Sequence, residues 1–399
     1  MKHLHFFLLG VASGVLLAAC GGGVQGTTEQ PSAGAGSVPQ REVGAPGRRA
    51  CPERSPGEAQ CDILIVKSGV QPNVAGWGPS DLQAAYNLPS SSKGSGQIVA
   101  IVDAYDNPNV ASDLAEYRSY FGLPAANFTK YNQEVKTSNY PQSCTGNDDW
   151  CLEIDADVEM VSASCPNCTI DLIEATSSYS SDLDIAETEA VTLGAHIVSN
   201  SWGCSPIGCT WHTDAFDSPG VVYLASAGDD RYGSFAPASF ANVISVGGTY
   251  LSKQGPKYKE VVWQYTSGGC ASGVTKPSWQ HDPGCTSKTQ NDVAAVAWDV
   301  AEYDTYGGSY NGWFTVGGTS LATPLIAGIY ALAGNASSQH AGKKLWTLTT
   351  KQRKKYLHVI SEGSDGDCGG SYLCTAGTGE YGTYSGPTGW GTPDGIGAF

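Results

Sequence analysis

Ser320 stands in Gly317-Gly318-Thr319-Ser320-Leu321-Ala322-Thr323-Pro324, with two glycines and a threonine before it and an unbroken apolar run to Gly334 after it. A serine in that setting is either a helix N-cap or a nucleophile, and a hydroxyl attacks usefully only when a neighbouring base takes its proton. Seven histidines could supply that base. His3 and His5 lie in an N-terminal leader, and His196 opens an apolar strand and reads as a core residue. His212, His281, His340 and His358 stand in no recognisable catalytic setting. Carboxylates do better. Glu153 and Asp157, within Trp150-Cys151-Leu152-Glu153-Ile154-Asp155-Ala156-Asp157-Val158-Glu159-Met160, are four apart and share one helical face. A solvated acidic stripe is the ordinary reading of such a pair. Here Leu152, Val158, Met160 and Val161 flank it, so the two carboxyls would be partly desolvated. Crowded, desolvated carboxyls share a proton and titrate in two steps.

The elements that hold these residues follow from hydrophobic period. The helix over about 321–332 has no polar face and should be buried, with the serine exposed at its mouth and Pro324 in its first turn. Short apolar runs at 97–103, 169–173, 196–199, 221–225 and 243–246 read as buried parallel strands. Helical patterns at about 80–86, 110–120, 148–163 and 181–193 fall between them, with another near 343–349. The alternation implies an α/β sandwich with a mainly parallel sheet. Ile63-Leu64-Ile65-Val66 reads as an earlier strand.

Composition narrows the class. Charged residues make up 15% of the chain and the formal net charge is −16, which argues against nucleic acid and anionic lipid as partners. Lys2 precedes an apolar stretch from Phe6 to Ala19, too short to cross a bilayer and suited to a signal peptide. Residues 20–60 are rich in Gly, Ser, Pro and Gln and read as a tether, leaving 61–399 as the folded domain. Beyond Cys20, twelve cysteines fall in close pairs: Cys51/Cys61, Cys144/Cys151, Cys165/Cys168, Cys204/Cys209, Cys270/Cys285 and Cys368/Cys374. Six short-loop disulfides are the simplest pairing and imply an oxidising compartment. No second Cys-x-x-Cys accompanies Cys165 and Cys168, so a metal site is the weaker reading.

The Glu-x-x-x-Asp helix running into Cys165-Pro166 and a strand resembles the sedolisin (serine-carboxyl peptidase) family, which has a subtilisin-like fold. Four further blocks carry the resemblance: Ser199-Asn200-Ser201-Trp202-Gly203, Ser226-Ala227-Gly228-Asp229, Pro237-Ala238-Ser239 with Val246-Gly247-Gly248-Thr249, and the Ser320 segment. It covers the chain from about Trp77 onward. It implies a three-layer sandwich and an endopeptidase acting in acid, with Ser320 as nucleophile, Glu153 as general base, Asp157 holding Glu153, and Asp229 in the oxyanion hole. Ser201, Trp202 and Gly203 would line the substrate cleft. The His-Gly-Thr setting of subtilisins is missing, although Asp103 ends a strand as the subtilisin aspartate does. The rival readings are a histidine-dependent subtilisin-type hydrolase and a non-catalytic surface lipoprotein that keeps the fold as a binding module.

Leu17-Ala18-Ala19-Cys20 resembles a bacterial lipobox. That implies lipidation of Cys20 and a monomer anchored to the cell envelope, the outer membrane in a Gram-negative cell, or released from it; lipid is then the only membrane contact. The expected partner is a protein or peptide substrate. Two departures from the family stand out. Its calcium site would need aspartates where Val359 and Ser385 stand, leaving Asp365, Asp367 and Glu380 as nearby carboxylates, so no metal is expected. A long folded propeptide has no room between Cys20 and Trp77, so either pH alone restrains the enzyme or the Cys51–Cys61 segment is a residual inhibitor.

Overall fold

Apolar strands that carry no polar face must be covered on both sides, and the chain achieves this with a central sheet and packed helices. The computed structural model describes residues 47–51, 55–67, 74–145, 150–204, 208–209, 212–306 and 311–399. The leader, the lipobox with Cys20 and most of the expected tether lie outside these residues.

In chain order the first strands are Arg48–Arg49 (β1), Gln60–Cys61 (β2), Leu64–Lys67 (β3), Ile98–Ala104 (β4), Asn127–Asn132 (β5) and Thr169–Ala175 (β6). Next come Ile197–Asn200 (β7), Trp202–Gly203 (β8), Val222–Ser226 (β9), Val243–Gln254 (β10) and Lys257–Val262 (β11). Further along are Cys270–Thr275 (β12), Ser287–Thr289 (β13), Val293–Val296 (β14), Trp298–Asp304 (β15) and Gly312–Gly317 (β16). Helices cover Pro79–Ala85 (α1), Val110–Tyr120 (α2), Trp150–Ser164 (α3), Ser180–Thr192 (α4) and Thr319–Ala333 (α5). The central sheet runs β11-β10-β9-β7-β4-β6-β5, with β14 also paired to β10. All of these pairings are parallel except β10 with β11. This is the α/β fold with a mainly parallel sheet that the strand–helix alternation implied.

Two helices organise the interior. All fifteen residues of α3 are buried, its four acidic residues included. Helix α5 packs along α3 and over β14, β7, β10 and β9. The close approach of the two helices depends on Gly328, where an added Cβ would lie 2.0 Å from Ser164 Oγ. Pro324 is six residues into α5 rather than in its first turn. A proline there removes the N–H that would bond the carbonyl four residues earlier. That carbonyl belongs to Ser320, and it accepts a hydrogen bond from Ser201 Oγ at 3.2 Å instead.

The folded unit starts earlier than composition suggested. Residues 47–51 and 55–60 are described, with β1 paired to β3 and Cys51 bonded to Cys61. A short hairpin closed by a disulfide is held by backbone pairing and by the cross-link, so it needs little apolar content of its own. The other five disulfides join Cys144 to Cys151, Cys165 to Cys168, Cys204 to Cys209, Cys270 to Cys285 and Cys368 to Cys374. The β15–β16 hairpin was not among the strands read from the sequence, and its acidic residues Glu302 and Asp304 are both buried. Among the described residues no helix is long and apolar enough to cross a membrane.

Candidate active site

Ser320 is the second residue of α5 and is fully buried, neither an N-cap nor exposed at the helix mouth. At this position its N–H and that of Thr319 belong to the helix start, where backbone donors have no partner within the helix. Thr319 N donates to Asp229 Oδ1 at 2.9 Å, and Thr319 Oγ1 donates to the same oxygen at 2.9 Å. Ser320 N donates to the carbonyl oxygen of Asp62 at 3.3 Å.

The hydroxyl's partner is a carboxyl group. Ser320 Oγ donates to Glu153 Oε2 at 2.8 Å and lies 3.1 Å from Ser201 O. Glu153 sits in the first turn of α3, and Asp157 follows one turn later, both without solvent exposure. Burial pushes Glu153 well above the usual carboxylate range, and the charges of Asp157, Asp103 and Asp62 push it further. Burial raises Asp157 as well, with the nearby Ser201 hydroxyl and Glu153 carboxyl offsetting part of this. Asp103, at the end of β4, is buried with both oxygens unpaired and is raised by burial, by Asp157 and by Glu174. The pair seen in sequence is therefore part of a buried row of carboxyls, and such a row holds protons at pH values where free carboxyls have lost them.

Asp229 follows β9 and Gly228, and is 4% exposed. Burial is the largest influence on it. Against hydrogen bonds from Thr319 and the positive charge of Arg49, it pushes the group up to about 7. Its Oδ1 accepts two hydrogen bonds, while Oδ2 has no partner. A proton on this group therefore sits on Oδ2, leaving a free O–H donor beside the Ser320 N–H. Two converging donors at the start of a helix are what an oxyanion requires.

The cleft residues divide by atom. Ser201 offers its carbonyl to Ser320 Oγ and its hydroxyl to Ser320 O. Trp202 and Gly203 offer backbone to β2, but the Trp202 indole is in the core, donating to Val102 O at 2.7 Å. Among the described residues no histidine takes part in this arrangement. His196 is exposed rather than buried and pairs with Gly220 O, while His212 faces Asp184 and His358 faces Asp394. Sequence reading missed Asp62 and Ser226. Asp62 falls just inside the expected domain and had been given no role, and Ser226 Oγ donates to Asp62 Oδ2 at 2.7 Å.

The family's calcium position, by the resemblance, would lie near residues 359 and 385. Val359 is 41% exposed, and Ser385 Oγ is 2.7 Å from Thr388 Oγ1. Glu380 accepts from Tyr372 N, Asp367 accepts from Gly369 N, and burial pushes Asp365 up to about 8. A hard cation takes a cage of charged oxygens; Val359 and Ser385 add no carboxylate to one, while Asp365 is buried with neither carboxylate oxygen paired. Elsewhere among the described residues, Asp113, Asp155 and Asp304 each place an oxygen within 4.8 Å of the others, on the side of α3 that carries Asp155 and Glu159. Asn107, Thr305 and Tyr306 already donate to those carboxyls.

Comparison with known proteins gives a consistent picture. Residues 94–362 match the subtilase family. Kumamolisin of Bacillus sp. (strain MN-32) is 29% identical over 362 residues, covering 80% of this chain and 62% of the relative. Sedolisin of Pseudomonas sp. (strain 101) is 24% identical over 361 residues, covering 80% and 60%. The chain thus spans about three fifths of the length of these relatives. Among solved structures, a Pseudomonas sedolisin described as a serine-carboxyl proteinase superposes with a TM-score of 0.66 at 23% identity, covering 81% of this chain and 96% of that one. Sphericase superposes with a TM-score of 0.51 at 18% identity, covering 81% and 99%.

Proposed function

Because the chain belongs to the subtilase family, we propose that it is a serine endopeptidase of the serine-carboxyl type, acting on proteins or peptides in acid. The observation that carries this reading is the 2.8 Å hydrogen bond from the buried Ser320 hydroxyl to Glu153, where an imidazole would otherwise be sought. In the proposed mechanism Glu153 takes the hydroxyl proton as Ser320 Oγ adds to a peptide carbonyl carbon, with Asp157 and Asp103 behind it sharing the load of charge. The oxyanion receives hydrogen bonds from Ser320 N and from the protonated carboxyl of Asp229. Glu153 returns the proton to the leaving amine, and water then hydrolyses the acyl-enzyme by the same route in reverse. The acid preference follows from two groups. The carboxyl row must lose one proton to provide the base, while Asp229, at about 7, must keep its own to donate.

No step in this scheme uses a metal, and we propose that calcium is not required. The six disulfides support a protein working outside the cytoplasm. We further propose a monomer held to the envelope through lipid on Cys20. The test is cleavage of a denatured protein from pH 3 to pH 8 by wild type, Ser320→Ala and Glu153→Gln. Acid cleavage that falls by at least about 10³-fold in both variants is expected, since members of such a unit are individually indispensable. Pseudo-iodotyrostatin, present in the Pseudomonas sedolisin complex, should inhibit wild type. Activity that survives Glu153→Gln would point back to a histidine, and no cleavage at any pH would favour the binding-module reading.

A further inference from the structure

Asp229 has a cation beside it that the mechanism does not use. Strand β1 pairs antiparallel with β3, placing Arg49 opposite Leu64, and Leu64 pairs in turn with Gly317 in β16. Ala50 N donates to Ile63 O at 3.0 Å, and the Cys51–Cys61 disulfide closes the hairpin. Strands β1, β3 and β16 lie side by side, so the backbone of Arg49 is fixed close to the turn that leads into Ser320. From there its guanidinium reaches the loop after β9. Arg49 Nη2 donates to the main-chain oxygen of Asp229 at 3.3 Å and pairs with the carboxylate of Asp230.

Among the described residues, few charged groups face the Asp229 carboxyl. Arg49 comes from β1, Asp62 from between β2 and β3, and Asp230 from the next position in the chain. Helix α5 brings the amide and hydroxyl of Thr319, and Glu153 of α3 faces Asp62. Arg231 is turned elsewhere, its guanidinium 4.7 Å from the centre of the Tyr265 ring. Ser267 Oγ holds the loop by accepting from Asp230 N at 3.1 Å. An opposite charge favours the ionised form of a carboxyl, and a like charge favours the protonated form. Only the protonated form of Asp229 has an O–H to give an oxyanion. Arg49 therefore works against the donor. Asp230 works for it twice, by its own charge and by holding the guanidinium.

From this placement we propose that Arg49 and Asp230 are positioning residues that set the upper pH limit of the reaction, Arg49 by favouring the ionised form of Asp229 and Asp230 by opposing it. Both act through Asp229 rather than on the reacting atoms. The Arg49 side chain is 30% exposed and that of Asp230 is 50% exposed, so water weakens both influences without removing either. The consequence is a pair of opposite effects. Removing the cation should extend activity towards neutral pH, and removing its partner should confine activity further into acid. A general loosening of the fold would not give shifts of opposite sign.

The proposal rests on the peptidase reading, with Asp229 as a donor, and the experiment separates the two. kcat/KM for an internally quenched peptide is measured from pH 3 to pH 9 with the full chain as wild type, Arg49→Gln, Arg49→Lys, Asp230→Asn and Asp229→Asn. The basic limb of kcat/KM reports groups of the free enzyme. In Arg49→Gln that limb should move up by at least about 0.5 pH unit, equivalent to about threefold more activity on the falling slope. Asp230→Asn should move it down by a similar amount, and Arg49→Lys, which keeps the charge, should leave it near the wild-type position. Variants that lose rate at every pH with the limb in place overturn the proposal, and so do limbs that move the same way in Arg49→Gln and Asp230→Asn. If Asp229→Asn cleaves and keeps the limb, the limb belongs to another group; the proposal then falls while the peptidase reading stands. Wild type that cleaves at no pH overturns both.

Discussion

Replacing Asp229 by Asn should remove a specific part of the protein's sensitivity to pH. The folded state holds this carboxyl at about 7, against 3.8 for the free group, with burial as the main cause. A raised value means that the folded chain binds more protons than the unfolded chain between those two pH values. Its contribution to stability is therefore full below pH 3.8 and is lost as pH rises through 7. The gap of about 3 units, at 1.36 kcal/mol each, corresponds to about 4 kcal/mol. The Asn side chain keeps an oxygen for Thr319 N and Oγ1 and has no charge to bury, so it should not carry this dependence. Denaturant unfolding of Ser320→Ala and of Ser320→Ala/Asp229→Asn at pH 4 and pH 8, with the serine removed to prevent self-digestion, measures it. The fall in stability from pH 4 to pH 8 should be smaller in the double variant by about 4 kcal/mol. Contributions from Glu153, Asp157 and Asp103 act in both proteins and largely cancel in the difference. Equal falls in the two proteins would refute the argument that Asp229 is protonated in the folded state, and with it the assignment of its Oδ2 as a donor.

Two further outcomes can be checked in the same preparations. Gly328→Ala would force α5 away from Ser164, whose Oγ lies 2.0 Å from the added Cβ; a loss of about 1–3 kcal/mol in unfolding free energy is expected, and an unchanged denaturation midpoint would mean the helices are not in contact there. EDTA should leave both acid activity and Tm unchanged, because Val359 and Ser385 bring no carboxylate to the expected calcium position; a fall in Tm restored by added calcium would contradict this.

Much of the fold could be read along the chain, because parallel strands buried on both faces need continuous apolar runs and each crossover needs a helix. The helix at 110–120 falls where its apolar period placed it. Strands β4, β6, β7 and β9 lie within a residue or two of the apolar runs that announced them. Ser320, Glu153, Asp157 and Asp229 were legible as residue types in motifs, and the cysteine pairs were legible because short loops leave few other partners. What adjacency along the chain does not encode is which buried groups face one another. Strand β15 drew no reading from the sequence, and its Glu302 and Asp304 are buried beside Glu159 and Asp155 of α3. Asp103 was recognised as a strand end, yet only the packing of α3 over β4 makes it the neighbour of Asp157. The sequence by itself determined the catalytic residue types and the layered fold that carries them, since both follow from local chemistry and period. Only the tertiary structure decided that Asp62, just past the expected tether and before the apolar run at 63–66, lies across Ser320. That placement depends on hydrogen bonds between Asp62 and the backbone of Ser201 and Ser320, both far along the chain, and backbone groups look alike in every sequence.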